Sequence, residues 1–181
     1  RVEGERPVLL QTSAGANYRG SIVMTNASAD LNPEVKVHPT EGLVGRTLGL
    51  TRDRVLGVDG MRERLRVVNH GAESISVDVD LALGADGADI FEVRGYPRPS
   101  RGRSLPIAVT DRSVTFRYDG LDGIRLSTHV SCTDPARVEA MTPDEGDAAV
   151  RLSWTVTLAP GAGHQLGWTV WSSTGPADSP V

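Results

Sequence analysis

Apolar residues recur at every second position in one short segment after another, and no window of ten or more residues carries a helical period. Val150, Leu152, Trp154, Val156 and Leu158 alternate with Arg151, Ser153, Thr155 and Thr157. Ile75, Val77, Val79, Leu81 and Leu83 do the same with Ser76, Asp78, Asp80 and Ala82. A period of two sends one set of side chains into a core and the other into water, as in a half-buried antiparallel strand. Residues 47–58 and 61–69 read as a hairpin about Asp59-Gly60, a tight-turn dipeptide. Residues 8–11 and 18–26 read as two short strands joined by a turn at 13–16. Further strands are expected at 107–109, from Val114 to Tyr118, from Ile124 to Val130 and at 165–171. Residues 31–45 and 142–147 read as loops. About ten strands at short spacing imply an all-β chain, a large antiparallel two-sheet β-sandwich. Residues 1–171 form that domain, and 172–181 have the composition of a linker.

Charge and cysteine content narrow the partners. The formal net charge is −4, and Lys36 is the sole lysine. With no basic excess to neutralise phosphates, no nucleic acid is expected as a partner. No apolar run is long enough to cross a membrane as a helix, so no membrane partner is expected either. Cys132 stands alone, which excludes an internal disulfide, suits a reducing, cytoplasmic setting and reads as a small apolar filler. His38, His70, His129 and His164 are scattered. No zinc, phosphate-loop or dinucleotide motif is present, so neither metal nor cofactor is expected. Asn26-Ala27-Ser28 spells a glycosylation triplet, a pattern common by chance.

The most distinctive stretch is Asp86-Gly87-Ala88-Asp89-Ile90-Phe91-Glu92-Val93-Arg94-Gly95, followed by Tyr96-Pro97-Arg98-Pro99-Ser100-Arg101-Gly102-Arg103. It gathers three acids, several arginines and glycines around a short apolar centre. The chain is expected to turn through 84–87, make a brief extended pass at 90–93 and leave in a basic loop. An extended pass would send Asp89 and Phe91 to one face and Ile90 and Glu92 to the other.

This stretch and its flanks resemble the N-terminal domain of bacterial glycogen-debranching-type enzymes, the amylo-alpha-1,6-glucosidase-like proteins. The resemblance rests on the acidic-glycine turn into Phe91-Glu92-Val93-Arg94-Gly95, on Arg98 and Arg101-Gly102, and on Tyr118-Asp119-Gly120-Leu121-Asp122-Gly123. Arg62-Glu63-Arg64-Leu65 followed by Val67-Val68-Asn69 matches the strand preceding the motif. The match runs over roughly 48–171 and is weaker before that. It implies a large two-sheet β-domain ahead of a catalytic α/α-barrel of the same polypeptide, whose acids lie in the barrel. It also implies a further upstream segment, so the chain is expected to lack its first strand or strands and to self-associate as a homodimer.

Asp86, Asp89 and Glu92 invite a comparison with the carboxylate pair of a glycosidase. The favoured expectation is structural: these acids pair with Arg94, Arg98 and Arg101 to hold the loop, and Phe91 belongs to the same structural or interface motif. The alternative has the same charges facing the barrel or an α-glucan. Clustered carboxylates also suit a hard cation, but the spacing is not that of a calcium loop. Trp154 and Trp168 fall in phase with the apolar positions of their strands and are expected in the core. Trp171, out of phase with Trp168, is expected on the opposite face; it and Tyr96 are the candidates for a glucan or domain contact. No catalytic residue is assigned. The chain is read as a non-catalytic accessory domain, against an autonomous glucan-binding module or a purely structural domain.

Overall fold

The computed structural model describes residues 1–15, 17–26, 47–97, 99–141 and 149–177. The expected loops at 31–45 and 142–147 lie outside the described residues, as does Arg98. The described residues are built mainly of strands. β1 (Val8–Ala14), β2 (Arg19–Thr25), β3 (Leu48–Gly57) and β4 (Gly60–Asn69) run as a meander, each antiparallel to the one before. After β5 (Ile75–Leu83) comes a short helix, α1 (Ile90–Val93). β6 (Arg103–Ser104), β7 (Ala108–Val109), β8 (Ser113–Asp119), β9 (Ile124–Cys132), β10 (Arg137–Ala140), β11 (Val150–Leu158) and β12 (Gly163–Pro176) follow.

Two sheets result. The larger has the order β1-β2-β3-β4-β12-β9-β8-β6, with β7 also on β8; the smaller has the order β10-β11-β5. Antiparallel pairing throughout and an apolar face on each sheet give the expected sandwich. In the small sheet, β5 and β11 pair from Val150↔Leu83 to Leu158↔Ile75, placing Val77, Val79, Leu152, Trp154 and Val156 inside. On its other face, Ser153 donates to Asp80 (2.7 Å) and Thr155 to Asp78 (2.6 Å), so the polar half of the alternation is paired as well.

The core lies between these strands and Leu48, Leu50, Leu65, Val67, Val114, Val130, Leu166 and Trp168 of the large sheet. Trp154 and Trp168 stack across the two sheets, ring centroids 6.4 Å apart and 14° between planes. Both are buried, as their phase implied. Asn69 is fully buried where the sheets meet. Its Nδ2 donates to the carbonyls of Glu73 (2.7 Å) and Leu158 (3.1 Å), and its Oδ1 accepts from the Gly71 N–H. Asn26 of the glycosylation triplet is also buried, accepting from the Leu48 N–H at 2.9 Å. Cys132 is buried too, and desolvation with nearby Asp134 pushes its thiol up to about 11.

Four details differ from the sequence reading. Residues 90–93 form a helix, not an extended pass, for reasons local to that segment given below. The β3–β4 turn sits on Val58 and Asp59, and Gly60 opens β4 at φ 125°, the positive value a tight hairpin demands of one residue. β1 runs on through Ala14, because Thr12, Ser13 and Ala14 keep pairing with Ile22, Ser21 and Gly20. β12 continues through Pro176, since Ser172 to Pro176 pair with Thr128 to Ile124 of β9; a polar composition there conceals a strand.

Candidate functional site

The connection from β5 to β6 carries the chain from the small sheet to the large one, and it holds nearly every residue singled out above. Its order is local in origin. Asp86 Oδ1 accepts from the Ala88 N–H (2.9 Å), a side-chain-closed turn. Asp89 is extended and caps α1: its Oδ1 accepts from the N–H groups of Phe91 (2.8 Å) and Glu92 (2.9 Å). Glu92 Oε2 reaches back to the Asp89 N–H (3.1 Å), completing a reciprocal capping box. At the other end Gly95, at φ 87°, donates to Glu92 O (2.9 Å), and Tyr96 donates to Phe91 O (3.0 Å). That is the left-handed helix stop for which glycine is suited. The rings of Phe91 and Tyr96 meet edge-on across it, centroids 6.4 Å apart.

Arg101 ties the ends of the segment together. Its Nε lies 3.1 Å from Glu92 Oε1, and its Nη2 donates to the carbonyl of Asp86 (2.9 Å) with the Asp86 carboxylate 3.9 Å away. Arg94 departs from the expectation. It is exposed, and among the described residues its guanidinium makes no ion pair; only its backbone N–H serves the helix end. Arg94 is the C-cap of α1, with its side chain on the exposed side.

Tyr118 of β8 clamps the segment onto the large sheet. Its hydroxyl accepts from the Gly102 N–H (2.6 Å), and its ring lies against Gly87, where an added Cβ would sit 2.4 Å from Cγ. Gly87 is also at φ 65°, so both packing and backbone require glycine. Between the segment and the β8–β9 turn runs an open groove of about 500 Å³, lined by Asp89, Pro99, Tyr118, Leu121, Asp122 and Leu126 among others. Gly87 to Asp89 with Pro99 and Ser100 from one motif segment, and Tyr118 with Gly120 to Asp122 from the other, therefore line one groove.

Next to the groove, Asp119 and Arg125 are buried and paired, Nε to Oδ1 at 2.7 Å and Nη2 to Oδ2 at 3.2 Å. Arg103 adds a longer contact at 3.4 Å, and Arg125 also donates to the carbonyl of Ala177. The Arg125 hydrogen bonds hold the Asp119 carboxyl below its ordinary value, against the opposing effect of burial. A carboxyl lowered on folding stabilises the fold above its unfolded pKa of about 3.9, and that contribution is lost as pH falls through the folded value. The stability gap between the wild type and Asp119→Asn should accordingly be constant from pH 7 to 5 and shrink below pH 4. Melting temperatures across that range check it; a gap that stays constant to pH 3 would refute the assignment.

Trp171 stands on the opposite face of the large sheet, 38% exposed, stacked on His129 with centroids 5.1 Å apart and 17° between planes. His129 is held by Thr115 (3.2 Å) and Ser173 (3.0 Å). Tyr96 is exposed at the end of α1, against Phe91.

A second polar site escaped notice in the sequence. The Glu63 side chain has no exposed surface, and its carboxylate is held by Arg52 and by Arg54, the latter at 2.7 Å. The Arg52 guanidinium also lies 5.8 Å from the Trp168 ring centroid. Alternation along β4 contained the clue: Glu63 shares its parity with Leu65 and Val67.

A family model described as the N-terminal domain of (some) glycogen debranching enzymes matches residues 1–169. No curated protein matches the sequence. Among solved structures, a protein described as a kojibiose phosphorylase from the human microbiome superposes with a TM-score of 0.59 at 8% identity, over 90% of this chain and 19% of that one. One described as an aldose 1-epimerase from Escherichia coli K12 gives a TM-score of 0.44 at 12% identity, over 93% of this chain and 69% of that one. The first likeness is one of fold. The chain spans about a fifth of that protein's length.

Proposed function

The chain belongs to the family of N-terminal domains of glycogen debranching enzymes, and from that membership we propose that it is a non-catalytic accessory domain packed on the catalytic α/α-barrel of the same polypeptide. There it supports the barrel's mouth and helps to admit a branched α-glucan. The observation that carries this reading is the use to which the motif acids are put. Asp86 closes a turn, Asp89 caps α1, and Glu92 is shared between the Asp89 N–H and Arg101. Each carboxylate is spent on the shape of the segment, whereas a glycosidase needs two of them facing a bond across open space.

Support also comes from the outward side of the same segment. Ile90, Phe91, Val93 and Tyr96 are all more than half exposed, a run of apolar side chains on a locally rigid support. Such a patch suits a neighbouring protein surface better than water. Trp171 favours the glucan-binding module as second reading, because it is partly exposed, but His129 covers one face of its ring.

The isolated chain is expected to release no glucose from a glycogen limit dextrin. Removing residues 1–176 from the parent enzyme is expected to lower the melting temperature of its catalytic domain by several degrees. Turnover by the isolated chain that vanishes in Asp89→Asn or Glu92→Gln would overturn the first part, and an unchanged melt the second. Maltoheptaose should bind no tighter than about 1 mM, roughly −4 kcal/mol. Micromolar affinity abolished by Trp171→Ala would transfer the assignment to the binding module.

A further inference from the structure

One face of the large sheet is only half covered. Along three neighbouring strands, residues of the same parity lose burial in the same direction. On β3, Leu48 and Leu50 are 1% exposed, whereas Leu56 is 59% exposed. On β4, Val67 is fully buried and Met61 only half-buried. On β12, Leu166 and Trp168 are buried, Val170 is half-buried and Ser172 exposed. The register places Leu56, Met61 and Val170 side by side in one row across these strands. The small sheet facing it has the order β10-β11-β5, three strands against the nine of the large one.

At the border stands Glu63, with Arg54 opposite it on β3. The Arg54 side chain is 48% exposed, so this guanidinium both holds the buried carboxylate and shows its remaining donors to the open half. The other face of the same strands is different in kind. Arg62, Arg64 and Arg66 stand there in succession, all exposed, as a solvated face would have them. β12 runs from the covered end of the sheet to the open end, so a domain joined behind it starts alongside the open half.

We propose that the open half of this inner face, around Leu56, Met61, Val170 and Ser172, is the surface on which the catalytic domain of the same polypeptide seats. The inference rests on the reading that such a domain packs here at all, and it adds which face is used. The apolar row supplies area to bury and joins the core along β12, where Val170 packs against it, and Arg54 supplies a cation for a carboxylate or carbonyl of the partner.

Ser172 and Ser173 make a direct test, because they are adjacent, both exposed, and on opposite faces of β12. The native thiol is quiet, since Cys132 is buried and its pKa is raised. Variants S172C and S173C are made in the isolated chain and in the parent enzyme with its catalytic domain, and maleimide labelling rates are compared. The expected result is at least tenfold slower labelling of the S172C thiol in the parent enzyme, with the S173C thiol unchanged. Protection of S173C alone would overturn the choice of face while leaving the packing reading intact. Protection of neither would overturn both. Protection of S172C in the isolated chain that grows with its concentration would give the face to a second copy, and so overturn the proposal.

Discussion

A chain carrying Arg52→Met together with Arg54→Met is expected to be about 3–5 kcal/mol less stable than the wild type. Both guanidiniums address one carboxylate, and that carboxylate has no exposed surface. With both cations gone, Glu63 remains ionised in a setting built from Leu65, Trp168 and the β3 backbone, or it takes up a proton; either route destabilises the fold. The effect belongs to the stranded charge and not to the worth of the pair. Adding Glu63→Leu to the double variant should therefore restore most of the loss, because an apolar side chain of similar size needs no partner there. Urea unfolding midpoints of the three proteins at pH 7 decide it. If the double variant unfolds within 1 kcal/mol of the wild type, water reaches Glu63 once the arginines are gone, and the border of the core lies further in than described (about 1 kcal/mol being the scale of an ordinary surface change).

Trp168→Ala should cost a comparable amount, about 3–5 kcal/mol, for a different physical reason. Trp168 is 5% exposed, stacks on Trp154 of the other sheet and lies beneath the Arg52 guanidinium. Truncation removes apolar contact from both layers at once and leaves a void that two hydrogen-bonded sheets cannot close by shifting. It also withdraws the ring from Arg52, which loosens the clasp on Glu63. Trp168→Phe keeps an aromatic slab in place and should lose far less. Trp171→Ala, three residues along on the outer face, provides the comparison and should stay near 1 kcal/mol, the range of exposed positions. Thermal melts followed by near-ultraviolet circular dichroism separate the three. Equal losses at Trp168 and Trp171 would mean that the stacked pair is not the centre of the core.

What the sequence made legible follows from the physics of alternation. A period of two predicts a strand and its buried face together, so β5 and β11 were readable from Ile75 to Leu83 and Val150 to Leu158, and β8 and β9 from Val114 to Tyr118 and Ile124 to Val130, one or two residues short of their observed ends. The opposite facing of Trp168 and Trp171 was readable for the same reason. β10 was not, because Val138 is the only large apolar residue in Arg137–Ala140 and an edge strand that short has no period to detect. α1 failed for another reason. Four residues cannot display a 3.6-residue repeat, and the helix is specified instead by fixed offsets, Asp89 to Glu92 and then Gly95, which period-based reading passes over. The role of Arg101 was anticipated as a class of contact, but choosing it over Arg94 depended on how that helix turns. Glu63 was hidden because an acid on an apolar face reads as an interruption of the pattern; its two cations lie on another strand.

The position of β12 bears on how such a chain is made. It lies in the middle of the large sheet, between β4 and β9, yet it follows every other strand in the sequence. Without it the strands of the large sheet fall into two groups, β1 to β4 and β6 to β9, whose facing edges, β4 and β9, have no partner on that side in the large sheet. Synthesis therefore imposes a waiting period during which the nascent chain displays two strand templates of the kind that recruit other chains. Closure is a single late event, made by one strand zipping into a slot with partners on both sides. The burden of quality control on this domain falls in that interval, and a ribosome that stalls before Gly163 leaves a polypeptide with both templates open.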